Sequence, residues 1–292
     1  MTTTLSVLAL LVAAAAAVRS NWSPCGLSML STITPFGERG RGHRYAATCG
    51  WFVLGAAVGG LALGGLAAGL ATAVHATGAS ATVVGGLALG ATLVVALSDS
   101  GLAGARLPVH YRQVNERWLD AYRPWVYGTG FGFQIGCGLA TYITTATVYL
   151  TVVLAALTAS TTVALLVGVG FGLMRGLAVC LIRNRRTPAA LLAFHRRFAL
   201  LQPWADRAVL ASLAMSAAVL TVAVGPMPAV AVVPVVVAGA VVVRFGVQPP
   251  SLDSEEAAAA TPVSRSASGP DGSGKAASPE GTGSGRLARQ RR

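Results

Sequence analysis

Two cysteines have the type and spacing to do chemistry. Cys25 lies in Ser23-Pro24-Cys25-Gly26-Leu27 and Cys137 in Gly136-Cys137-Gly138-Leu139, so both are Cys-Gly-Leu tripeptides inside apolar stretches. Thr32 follows the first cysteine by seven residues, and Thr144 follows the second by seven. A matched thiol pair can cycle between dithiol and disulfide, with the thiolate as the attacking species. Bridging requires Cα atoms within about 7 Å of each other. Pro24 and Gly26 flank the first thiol; Gln134, Gly136, Gly138 and Thr141 surround the second, with Thr141 and Thr144 expected at helical spacing. Hydroxyls and amides there would help a thiolate form in a medium of low dielectric. The plainer alternative is that the hydroxyls bond preceding carbonyls and the thiols fill space. Cys49 and Cys180 lack the motif and read as structural. No CxxC, Cys/His cluster or metal-ligand spacing occurs, so neither a metal nor an organic cofactor is expected. His43, His110 and His195 fall in basic loops and His75 in a loop of the other kind, which leaves no proton relay inside the apolar spans.

The elements that must position these thiols are membrane spans. The chain has 292 residues, 54% hydrophobic and 11% charged, with a mean hydropathy of +0.64. Soluble domains carry about 25% charged residues, so an all-α, multi-pass membrane protein in contact with a lipid bilayer is the expectation. The net charge of +12 comes from arginines in loops and tail and one lysine, Lys275. Topology explains that pattern better than nucleic-acid binding. Residues 1–18 lack the positive n-region of a cleaved signal peptide and read as a retained span.

Apolar windows able to cross about 30 Å of hydrocarbon fall at 5–35, 48–74, 80–98, 125–157, 160–182, 206–224 and 226–245. Pro24 removes a backbone donor in the first, which predicts a broken helix facing protein instead of lipid. Arginines cluster after spans 1, 3 and 5 and are absent after spans 2, 4 and 6. The positive-inside rule then places the N-terminus outside and the C-terminus in the cytoplasm of a plasma-membrane protein. Trp51, Trp118, Tyr122, Trp125 and Trp204 fall at the cytoplasmic interface. Gly55/Gly59, Gly60/Gly64, Gly65/Gly69, Gly128/Gly132/Gly136 and Gly168/Gly172/Gly176 predict close helix packing. Arg175 reads as snorkelling to the cytoplasmic surface.

Spans 1–3 and 4–6 run in opposite senses, the pattern of inverted repeats whose sites lie near the midplane on broken helices. The expected organisation is a first three-helix repeat at 1–98, a cytoplasmic basic loop at 99–124 and a second repeat at 125–224. An additional helix at 225–246 and a disordered cytoplasmic tail at 247–292 follow. Cys25 and Cys137 each lie 12 residues from a cytoplasmic edge, or roughly 18 Å along a helix. They are expected at one level.

The run Ser23-Pro24-Cys25-Gly26-Leu27-Ser28-Met29, with the basic turn Gly37-Glu38-Arg39-Gly40-Arg41-Gly42 after it, resembles the first helix of the CcdA/DsbD transmembrane thiol–disulfide reductases. Cys25 and Cys137 match that family's paired cysteines. Pro24 is present, whereas glycines flank Cys137 and Ser28 stands where the family places a further proline. The resemblance implies transfer of reducing equivalents from a cytoplasmic thioredoxin-like protein to an extracytoplasmic partner. That partner would be a thioredoxin-fold or cytochrome c maturation protein. The competing expectation is a small-solute or anion exporter with structural cysteines, in which Arg175 or half-helix ends bind substrate; a non-transporting scaffold is a third.

Overall fold

The structure is a computed structural model, and it describes residues 1–101 and 118–225. Among these residues every regular element is helical. The first span breaks where its chemistry demands. Helix α1 (Thr2–Arg19) runs into a 3-10 turn at Ser20–Trp22, and α2 starts afresh at Pro24–Thr32. Pro24 has no N–H to continue the ladder, so the first helical position is the one it tolerates. Ser23, in extended backbone, caps the new helix by accepting from the Gly26 N–H at 3.2 Å. Thr34 does the same for the short α3 (Pro35–Gly40), accepting from Gly37 N–H at 3.0 Å.

Helices α4 (Tyr45–Ala76) and α5 (Ala81–Ser100) follow, then a single turn α6 (Trp118–Ala121). The window expected as one span at 125–157 is two shorter helices, α7 (Pro124–Cys137) and α8 (Thr147–Leu157). Gly138 has φ +71°, left-handed backbone that ends α7. Thr141 and Thr144 therefore lie beyond the turn, and the expected helical spacing from Cys137 does not hold. Helix α8 takes its cap from another segment. The Asp99 carboxylate accepts from Ala146 N–H (2.8 Å), Thr147 N–H (3.3 Å) and the hydroxyls of Thr145 and Thr147 (2.5 and 2.6 Å). These satisfy the orphan donors of a helix start with a charge of the favoured sign.

Helix α9 (Thr161–Gly176) continues as a 3-10 turn at Leu177–Ile182, and α10 runs Pro188–Val224 through Pro203. His195 consequently sits in a helix, not a loop, with its ring 3.2 Å from the Ser31 hydroxyl. Five helical stretches are long and apolar enough to cross a membrane: Thr2–Trp22, α4, α5, Thr161–Ile182 and α10. Their outward Leu61, Leu66, Leu87 and Leu166 are about half exposed, as suits a lipid-facing surface. The expected span at 226–245, the tail at 247–292 and Arg106, Arg112 and Arg117 lie outside the described residues.

Packing is organised by α4. A Cβ on Gly55 or Gly59 would strike the carbonyl oxygens of Thr129 or Phe133 on α7. Along α4 and α7 the contacts advance together, so these helices run parallel. Gly60 and Gly64 face α9 instead. A Cβ on Gly60 would lie 3.0 Å from Gly172 Cα, and one on Gly64 3.0 Å from the Ala164 carbonyl oxygen. These contacts advance in opposite senses, so α4 and α9 are antiparallel. Small residues let the backbones touch, which is where helix association in lipid gains its dispersion energy. Gly65 and Gly69 depart from the expectation: a Cβ on either meets nothing within 4 Å.

Two outcomes follow. Gly172→Val overpacks a backbone contact and is expected to cost about 1–3 kcal/mol or more, while Gly69→Ala stays within about 0.5 kcal/mol of the parent. Thermal unfolding in detergent compares them. Asp99→Ala removes the cap of α8 and should cost about 1–2 kcal/mol, read in the same assay.

Candidate thiol site

Both sequence-predicted thiols stand at helix ends beside a break. Cys25 is the second residue of α2, in its first turn, and is 1% exposed. Cys137 is the last residue of α7, next to the left-handed Gly138. Its backbone nitrogen would lie 2.7 Å from a Cβ on Gly59, which presses this helix end against α4. None of the four cysteines is in a disulfide.

Both Cys25 and Cys137 lie within electrostatic reach of Arg175. Far from snorkelling to the surface, it is 2% exposed. Helix α9 is locked to α4 on its glycine face, and the arginine one position before Gly176 is carried into the interior with it. Its Nη1 donates to the Ile135 carbonyl at 2.6 Å, capping the C-terminal end of α7. The guanidinium lies 5.7 Å from the Phe171 ring. Its Nε and Nη2 are buried without a hydrogen-bond partner. The titratable groups whose charge acts on it are Cys25 and Cys137, with no carboxylate among the described residues. A buried cation is costly unless paired, and the titratable groups within electrostatic reach of it are two thiols.

The neighbours serve this geometry. A Cβ on Gly26 would stand 2.5 Å from the Asn21 carbonyl oxygen, so only glycine lets α2 fold back against the preceding turn. A Cβ on Gly136 would strike the Ala56 carbonyl, and one on Gly138 would come within 2.7 Å of the Phe171 ring. Gln134 is half-buried on α7. Thr141 is fully buried past the turn, its hydroxyl without a partner. A cavity of about 10 Å³ opens beside Arg175, lined by Asn21, Gly26, Met29, Phe52 and Ile135 among others. That is about the space one water needs.

Three features escaped sequence reasoning. Arg19 on α1 pairs with Asp206 on α10, beside a cavity of about 90 Å³ that Asp99, Thr144 and Thr145 also line. The Arg19 Nη1 and the Thr144 hydroxyl there have no partner. Acids at the ends of apolar spans were the available signal. Glu38, expected in a basic turn, is fully buried and accepts from Thr48 (2.5 Å), Tyr127 (2.6 Å) and Arg41 (3.1 Å). It ties α3 to α4 and α7. The third is that Cys180, read separately from Cys49, packs against the buried cluster that contains Cys49. Among the described residues no group of His, Cys, Asp and Glu is placed to hold a metal ion.

Comparison with family models, curated proteins and solved structures finds no match to this chain.

If Arg175 is held for the sulfurs and not for the fold, the two readouts separate. Arg175→Met removes an under-satisfied buried charge and should leave thermal stability unchanged or raised. The same variant should slow modification of Cys25 and Cys137 by a small membrane-permeant maleimide by about tenfold, since roughly 1.4 kcal/mol of lost charge pairing is a factor of ten.

Proposed function

We propose that this chain is a plasma-membrane thiol–disulfide oxidoreductase of the CcdA/DsbD kind. It would carry reducing equivalents from a cytoplasmic thioredoxin-like donor to an extracytoplasmic thiol protein. The observation that carries this reading is a buried guanidinium with two unpartnered nitrogens that lies within electrostatic reach of both Cys25 and Cys137. A space-filling cysteine has no use for such a neighbour.

In the proposed cycle a donor thiolate attacks the Cys25–Cys137 disulfide. One sulfur bonds to the donor and the other leaves as thiolate beside Arg175. The donor's second thiol resolves the mixed disulfide, leaving donor disulfide and the Cys25/Cys137 dithiol. Two electrons and two protons have entered the pair. The same exchange in reverse order reduces the outer partner, and no metal or organic cofactor takes part. Arg175 stabilises each sulfur anion as it forms, and Cys25 gains further from the N–H groups of its helix start.

Seven spans, inverted three-helix repeats, an external N-terminus and a cytoplasmic C-terminus complete the proposal. The arginine clusters after alternate spans support it, as do the breaks in the first and fourth spans, at Ser20–Ser23 and 138–146.

The test is redox trapping in membranes. Wild-type protein is expected to show an intramolecular Cys25–Cys137 disulfide that reduced thioredoxin opens, and Cys25→Ser and Cys137→Ser each lose it. A wild-type chain that never forms this disulfide sinks the reading. The polar cavity at Arg19, Asp99 and Asp206 favours a second reading, a small-solute exporter with structural cysteines. Transport that survives Cys25→Ala with Cys137→Ala would select it.

A further inference from the structure

We infer that Cys49 and Cys180 form a second redox pair, on the cytoplasmic side of the first. It would take reducing equivalents from the donor and pass them to Cys25–Cys137. This rests on the thiol-relay reading above.

The geometry comes from the α4–α9 seam. Gly60 meets Gly168 and Gly172, and a Cβ on Gly176 would lie 3.5 Å from Val53 Cα. Continuing that antiparallel register by one turn, down α4 and onward from α9, reaches Cys49 and Cys180. Cys180 and Tyr45 both pack against the buried cluster that contains Cys49. The Tyr45 hydroxyl is pinned by donating to the Val179 carbonyl at 2.6 Å, the residue before Cys180. Backbones held this close by glycine put facing cysteines within reach of a bridge.

Burial assigns the order of transfer. Cys180 is partly exposed and lies two residues before the end of the Thr161–Ile182 stretch, three before Arg183. Cys49 is 6% exposed and belongs to the same buried cluster as Cys25, with Phe52, Ile135 and Val179 between the elements. Three of the chain's four cysteines thus adjoin one cluster, and the fourth, Cys137, shares Arg175 with Cys25. In the oxidised state a donor thiolate attacks the outer sulfur, Cys180, and the Cys49–Cys180 bond breaks with Cys49 leaving as thiolate. The donor's second thiol then frees Cys180 and forms the donor disulfide. Cys49 attacks the Cys25–Cys137 disulfide, and Cys180 closes back on Cys49 to release the Cys25/Cys137 dithiol. Each exchange breaks one S–S bond and forms one, and two electrons and two protons move inward per turn.

The experiment uses the full chain in membranes. It is oxidised with diamide, then reduced from the cytoplasmic face by thioredoxin with its reductase and NADPH, and quenched with acid and a mass-tagging maleimide. Wild type is expected to carry both disulfides by peptide mapping. Cys49→Ser and Cys180→Ser should still form Cys25–Cys137 but lose its reduction by thioredoxin at least tenfold. With a thioredoxin that lacks its resolving cysteine, oxidised wild type should accumulate the donor adduct on Cys180 with Cys49 released as thiol. If Cys25–Cys137 forms and is reduced at the wild-type rate in both variants, this inference is overturned and the single-pair relay stands. If wild type maps with Cys49 and Cys180 always as thiols, the inference also falls, whatever the variants' folding. If Cys25–Cys137 never forms in wild type, the relay reading fails and takes the hand-over with it.

Discussion

Backbone-on-backbone contact along two faces of α4 is the constraint on which the bundle depends. In lipid, helices gain nothing by hiding apolar surface from one another, so close approach must supply the attraction. Glycines on one face of α4 admit α7 and those on the next admit α9. The two seams meet at Ala56: Cβ atoms on Gly136 and Gly172 would both strike its carbonyl, and one on Gly176 would press on its methyl. At that level the end of α7 and the inner turn of α9 are forced side by side. Ile135 and Arg175 meet there because of it. The burial of Arg175 is a by-product of how thin α4 is.

Two buried charges, Glu38 and Arg175, and the part-buried Asp99 are treated differently, and the difference has meaning. Glu38 accepts three hydrogen bonds and Asp99 four. A carboxylate so fully met is architectural, fixing α3 against α4 and α7 in one case and starting α8 in the other. Arg175 donates once among the hydrogen bonds seen, to Ile135, and keeps two nitrogens unmet in an apolar interior. Stability alone would favour methionine there.

Much of this was legible in the chain itself. Low charge and long apolar windows indicate membrane helices, Pro24 after Ser23 marks the first break, and four-residue glycine spacing marks the seams. The second break was not legible, because Gly138 looks like any other glycine in a glycine-rich helix until its φ is known. Its cap comes from Asp99, nearly fifty residues earlier in the chain. Arg175 was misjudged for a related reason. Distance to a loop suggests snorkelling, but which face of α9 is locked to α4 decides whether the side chain can reach water. Gly65 and Gly69 share the spacing of their neighbours yet face outward, since spacing specifies a stripe and not a partner. The packing of Cys180 against the cluster of Cys49 could have been found by extending the α4–α9 register to the helix ends.

A guanidinium keeps its proton under all ordinary conditions, so Arg175 places a permanent unit charge inside the bundle. Sulfur chemistry beside it changes the local sum of charge but never removes that unit. Arg175 belongs to the Thr161–Ile182 stretch, long and apolar enough to cross a membrane, and across a membrane a full crossing of one charge corresponds to about 2.3 kcal/mol for each 100 mV. Any shift of α9 along the membrane normal therefore does electrical work in proportion to the fraction of the field it traverses. The helix that carries this fixed charge is therefore the one on which a membrane potential would pull.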